Sequence, residues 1–181
     1  HMVGASDIER SKFKKQALVD WEAILSARAK ELEPGGRFIC INFGIDENGR
    51  YLGNTGDKSM FESFNRHWKG HLDSGIITEE EFISATFPQH YRTVEEFSQP
   101  FVGNDCLANK IGLKLNRIFT KLTKCPYRQE FENNKATTTP EEFAKVFIPT
   151  TRSWSETVFR TALKNRTYEE INQIVESFYK N

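Results

Sequence analysis

The chain has 181 residues, 38% hydrophobic and 13% aromatic, enough for a core of ordinary size and too apolar for global disorder. Lysine plus arginine equals aspartate plus glutamate at 25 each, so the charge balance points to neither nucleic acid nor an anionic membrane surface. No apolar run approaches the roughly 20 residues that span a bilayer and no charged-then-apolar leader is present, which predicts a soluble, cytoplasmic protein. Cys40, Cys106 and Cys125 are odd in number and lack C-x-x-C spacing, against both a disulfide framework and a zinc cage. His1-Met2 reads as a cloning scar.

Ser6 and Glu9 have the S-x-x-E spacing that satisfies two orphan amides at a helix start, so Ser6 is the N-cap of a first helix. At about 100° per residue, Phe13, Ala17, Leu18, Trp21, Ile24, Leu25 and Leu32 fall in one stripe. Arg28 lies in the middle of it, where a cation either snorkels to water or finds a buried carboxylate. Pro34 and Gly35-Gly36 stop this helix, and Arg37 to Phe43 follows as a strand. Its Phe38, Ile39, Cys40, Ile41 and Phe43 are apolar on both faces, the pattern of a strand buried in mid-sheet with neighbours on both sides. Asn42 is polar near the carboxyl end, where open α/β sheets hold ligands; a hydrogen-bonded structural amide is the other reading. A helix feeding an apolar strand through a glycine turn is the repeating unit of a parallel α/β fold, so the chain reads as opening in mid-fold.

A glycine-dense connection runs from Gly44 to Asp57, with an Asn48-Gly49 turn at its centre. A second helix from Lys58 to Asp73 carries Met60, Phe61, Phe64, Trp68, His71 and Leu72 on one face, with Gly75 at its end. His67 and His71 have i, i+4 spacing without a third ligand at compatible spacing, which makes His71 a core or pocket histidine. Thr78 with Glu81 and Thr93 with Glu96 start two short helices on either side of the rigid turn Phe87-Pro88-Gln89-His90-Tyr91. Gly112 to Lys124 reads as a strand whose Lys110, Lys114, Arg117, Lys121 and Lys124 form a solvated, edge-protecting face. Thr139-Pro140-Glu141-Glu142 starts a helix that keeps Phe143, Phe147, Trp154 and Val158 in one phase across Pro149, implying a kink there. Thr167 and Glu170 cap a last helix with Tyr168, Ile171, Val175 and Phe178 on one face.

Asp20-Trp21, Leu25, Arg28, Glu31-Leu32 and Pro34-Gly35-Gly36-Arg37 resemble the segment before the fifth strand of class I S-adenosylmethionine-dependent methyltransferases. The likeness continues through Gly75-Ile76-Ile77, Glu79-Glu80-Glu81, Pro88-Gln89, and Arg152 with Glu156, and is narrower to the carboxyl methyltransferases of the SABATH type. The resemblance implies an α/β fold, mostly helical in this chain: the C-terminal part of a Rossmann-like methyltransferase sheet plus a helical cap. Residues 3–57 would belong to the core and 58–181 to the cap or substrate-binding region, with a strand near 112–123. It implies acceptor-pocket roles for Met60, Phe61, His90 (with Tyr91 adjacent), Thr151 and Trp154. Phe61 stands where plant members commonly have tryptophan. Each of Met60, Phe61 and Trp154 also fits an ordinary place on an apolar helix face.

The implied reaction moves a methyl group in line from S-adenosylmethionine to a carboxylate of a small acid, which is already ionised and needs no general base. The glycine-rich donor loop and the acidic ribose-binding residue of that family would precede Val3. The expectation is therefore a chain that neither holds S-adenosylmethionine tightly nor transfers a methyl group by itself, and that has no nucleic-acid or membrane partner. The alternative is a non-catalytic binding module of the same descent, dimerising through an exposed sheet edge. Either reading rests on Phe38 to Phe43 being a buried strand.

Overall fold

The computed structural model describes residues 1–54 and 59–180. Eight α-helices are formed among them: α1 (Asp7–Glu31), α2 (Met60–Asp73), α3 (Glu79–Ser84), α4 (Val94–Ser98), α5 (Leu107–Lys110), α6 (Pro126–Asn133), α7 (Pro140–Ala162) and α8 (Tyr168–Lys180). The chain separates into two compact units, His1–Glu62 with Pro88–Lys121, and Ser63–Phe87 with Leu122–Asn181. The start expected for α2 at Lys58, and the boundary expected between residues 57 and 58, lie outside the described residues.

The helix starts follow the sequence closely. Ser6 Oγ accepts from the Glu9 amide at 3.4 Å while the Glu9 carboxylate accepts from the Ser6 amide at 2.8 Å. Thr78 with Glu81 and Thr139 with Glu142 close the same reciprocal pair, and so does Thr167 with Glu170. In α1 the stripe narrows to Ala17, Trp21 and Leu25, which are buried. Arg28 is exposed and pairs with Glu31 one turn on, so it neither disturbs the core nor seeks a buried partner.

The α/β expectation is corrected. Among the described residues there is no strand and no sheet, only isolated bridges at Gly44 with Arg92 and at Tyr51 with Asn54. Residues 37–43 have no regular secondary structure and lie open to water, with Ile39 80% and Ile41 94% exposed. The alternation-free apolar pattern reports what a strand would bury beside neighbours, and no described segment supplies those neighbours. Residues 113–124 are likewise not a strand, and Phe119 and Leu122 are exposed there. The sheet edge expected to join two copies is therefore also missing among the described residues, and the Rossmann-like sheet is not formed.

In the first unit, Trp21 anchors α1 by donating its indole N–H to the Phe97 carbonyl at 3.0 Å, its ring meeting Phe97 edge-on at 5.3 Å. The turn after the ribbon is fixed by Asp46, whose carboxylate accepts from the amides of Asn48 and Arg50 at 3.0 and 2.8 Å. Gly53 then leads into α2. At φ +80° it has a left-handed backbone, and a side chain there would meet Met60 Cβ at 2.8 Å, so only glycine allows its carbonyl to accept from Met60 N at 2.8 Å.

The second unit is built on aromatic packing between α2, α7 and α8. Phe159 and Phe178 rings lie 4.2 Å apart, with Trp68 at 4.9 and 5.5 Å from them, and Phe64 lies 5.9 Å from Phe159. His71 is buried among these rings. Its Nδ1 donates to the His67 carbonyl at 3.0 Å and its Nε2 lies 2.7 Å from Ser177 Oγ, which engages both nitrogens and makes it a core histidine. Between α7 and α8, Ser155 is fully buried and sits 2.6 Å from the Tyr179 hydroxyl. Burial pushes the Tyr179 phenol up to about 12, against the bond from Ser155. Pro149 lies inside α7 without ending it.

Glu81 ties α3 to the turn before α8. Arg166 Nε and Nη2 donate to its two carboxylate oxygens at 2.7 and 2.9 Å, and the Thr78 amide adds a third bond at 2.8 Å. The Arg166 bonds hold the Glu81 carboxyl below its usual range, against burial and with help from Thr78. A depressed carboxyl stabilises the fold above its unfolded value and loses that contribution as pH falls through its folded value. Replacing Arg166 by Met, which strands Glu81, is expected to cost about 3 kcal/mol in urea unfolding at pH 7. The cost should shrink near pH 3 as Glu81 takes up a proton; an unchanged cost there would show that the pair is not the cause.

Candidate functional site

The first unit contains a cavity of about 550 Å³ between one face of α1 and loop 88–92. The α1 face is the i, i+3, i+4 ridge of Glu9, Lys12, Phe13, Gln16, Ala17 and Asp20. Asn42 and Phe43, at the end of the ribbon, close a further wall. They are held there because Ile45 N donates to the Arg92 carbonyl at 2.9 Å, next to the parallel bridge between Gly44 and Arg92. Gly44 permits the approach: an added Cβ would lie 3.0 Å from the Arg92 oxygen.

Loop 88–92 contributes four consecutive polar side chains, Gln89 to Arg92, of which the last three make the contacts that follow. His90 Nε2 lies 2.8 Å from Glu96, whose other oxygen accepts from Lys14 at 2.9 Å. Arg92 donates to the Ala17 carbonyl, tying loop to helix. Burial lowers its guanidinium from the ordinary value, opposed by Asp20, Glu96 and Cys40. The same proximity works against the burial that raises the Cys40 thiol. Tyr91 is buried at the centre of an aromatic group, 5.9 Å from Tyr51, 6.3 Å from Phe61 and 6.5 Å from Phe43. Burial, then the neighbouring Tyr51, push its phenol up to about 12, so it stays neutral and is no base at working pH.

The residues singled out from the sequence divide between the units. Met60, Phe61 and His90 fall in the first. Met60 is half-buried; Phe61 is buried with its ring stacked on the His1 imidazole at 3.6 Å, and its partner in the loop is Tyr91. Thr151 and Trp154 fall in the second. Thr151 is buried and donates its hydroxyl to the Ile148 carbonyl at 2.8 Å, a helix-internal bond. Trp154 is 40% exposed, its ring 6.0 Å from both Phe64 and Phe87. Sequence reasoning passed over Lys12, Tyr51 and Glu96. The pairing of Glu96 with His90 had one signal, their separation by a single tight turn ending in a short helix.

A sequence model of the SAM dependent carboxyl methyltransferases matches residues 1–181. The chain belongs to that family. No curated protein matches it. The match covers the whole chain, the exposed segment 37–43 included. No helix among the described residues is long and apolar enough to cross a membrane.

Of the acidic side chains lining the cavity, Glu9 accepts the Ser6 amide and hydroxyl through Oε2, and Asp20 accepts from Gln16 through Oδ1 at 2.8 Å. The cavity is also lined by a cation, Lys12, on the same face of α1 as Glu9, and by the aromatic residues Phe13, Phe43 and Tyr91. That combination suits an acid with an apolar body.

The Tyr91 hydroxyl is buried and has no hydrogen-bond partner among the described residues. Tyr91→Phe is therefore expected to leave stability unchanged or raise it by about 1 kcal/mol, because it removes an unmatched buried group and keeps the ring. Thermal unfolding checks this; a loss exceeding about 1 kcal/mol would mean that the hydroxyl is bonded.

Proposed function

We propose that this chain supplies the acceptor side of a carboxyl methyltransferase that acts on a small carboxylic acid, with Met60, Phe61 and His90 of the first unit as acceptor-binding residues. The observation that supports the reading is the buried Phe61 against Tyr91, which lines a cavity that Lys12 also lines. A carboxylate is ionised at neutral pH, so the residues' task is to seat it and exclude water, and no catalytic base is asked of them. A neutral Tyr91 fits that role. We further infer that the chain alone holds no S-adenosylmethionine tightly and transfers no methyl group. Calorimetric titration of the 181-residue chain with S-adenosylmethionine is expected to show no saturable heat at micromolar concentrations; micromolar binding would overturn this inference.

A second reading, a non-catalytic association module, is favoured by one observation, the exposure of Ile39 and Ile41 on a segment without regular secondary structure. On that reading two copies associate through residues 37–43. Sedimentation equilibrium should then show a dimer that Ile41→Lys converts to monomer. A wild-type monomer at tens of micromolar would remove this reading and leave the first intact.

A further inference from the structure

The even total charge of the chain conceals an uneven distribution. From Cys106 to Gln129 the chain carries Lys110, Lys114, Arg117, Lys121, Lys124 and Arg128 and not one carboxylate. The first unit holds Lys110, Lys114, Arg117 and Lys121, all exposed and in no ion pair among the described residues. The role the sequence suggests for them, guarding a strand edge, has no strand to serve, because residues 113–121 have no regular secondary structure.

Their spacing is helical. At about 100° per residue the cations share one arc of about 60°, and Ile111, Leu115, Ile118 and Phe119 share an adjoining arc of about 100°, with Leu113 outside both. In an extended chain the same cations would divide between two faces, Lys110 and Lys114 on one, Arg117 and Lys121 on the other. The short helix α5 already ends at the first of these cations. Gly112, at φ +75°, separates α5 from the segment, and glycine can exchange that conformation for the helical one. Leu115 is 37% and Phe119 62% exposed, with the Arg117 guanidinium 4.5 Å over the Phe119 ring. Among the described residues the backbone of 114–121 makes no backbone–backbone hydrogen bond, and Thr120 donates its hydroxyl to Glu47 at 2.6 Å. A helix here therefore displaces no backbone pairing, and it forms once a partner covers its apolar face.

The partner has to match both halves of the pattern. Nucleic acid would neutralise the cations and leave Leu115 without cover, whereas a neutral apolar surface would cover Leu115 and Phe119 and leave the cations unanswered. A bilayer with anionic headgroups does both. We propose that residues 110–121 dock in the plane of an anionic lipid surface as an amphipathic helix continuing α5. Lys110, Lys114, Arg117 and Lys121 then lie among the headgroups, and Ile111, Leu115, Ile118 and Phe119 face the acyl chains. This runs against the expectation from the whole-chain charge balance because a charged surface acts within about 10 Å and meets the local patch, not the total. The proposal goes beyond the acceptor reading and does not depend on it.

The test titrates the 181-residue chain with vesicles of phosphatidylcholine, alone or with about 30% phosphatidylserine, read by cosedimentation and amide hydrogen exchange. Binding is expected to the anionic vesicles only, to be lost at about 0.5 M salt, and to protect the amides of residues 114–121. Combining Lys114→Gln, Arg117→Gln and Lys121→Gln should weaken binding roughly a hundredfold, and Phe119→Ser roughly tenfold. Lys114→Arg with Lys121→Arg should leave it intact. Should the triple variant not fold, the salt dependence and Phe119→Ser decide. No binding to anionic vesicles, equal binding to neutral ones, unprotected amides at 114–121 in the bound chain, or full affinity in the neutralised variant would overturn the proposal. So would capture by duplex DNA without capture by the vesicles.

Discussion

A single backbone hydrogen bond, from Ile45 N to the Arg92 carbonyl at 2.9 Å, joins the end of the exposed ribbon to loop 88–92, and the candidate site depends on it. It sets Asn42 and Phe43 opposite α1, places Phe43 beside Tyr91, and orients three polar residues in a row. A hydrogen bond of this kind contributes only about 1 kcal/mol net. Its effect is geometric: Gly44 lets two backbones approach closely, Arg92 fastens the loop to α1, and the cavity exists in the space left between them.

Much of this architecture was legible in the residues. Ser6, Thr78, Thr139 and Thr167 announce helix starts because capping is a local interaction, decided within four residues. Phe64, Trp68 and His71 were placed on one face by period alone, and they meet the core of the second unit. What failed was non-local. Phe38, Ile39 and Ile41 have the composition of a buried strand, but burial is a property of neighbours, and apolar character cannot supply them. Leu115, Phe119 and Leu122 misled for the same reason.

The site was legible in part. The resemblance names Phe61 and His90, and Phe61 lies 6.3 Å from Tyr91 in the loop that carries His90. Glu96 was hidden because its spacing from Thr93 is the same as in the other caps; only the three-dimensional position of His90 draws its carboxylate away. Lys12 was hidden by the high charge of its helix, where one lysine among several has no distinguishing pattern. Signals that depend on a residue leaving its usual local bond are invisible to spacing.

Pro149 has a consequence for how the second unit comes apart. Lacking an amide hydrogen, it leaves the Lys145 carbonyl without its donor one turn back and interrupts the ladder of α7. On one side lie Phe143 and Phe147, stacked at 5.3 Å, with the rings of Phe131 and Tyr127 of α6 against them; on the other, Ser155 and Phe159 are locked against α8. Zipper-like cooperativity cannot run through the gap, so fraying that begins at α6 stops at the proline and leaves the grip of α7 on α8 undisturbed.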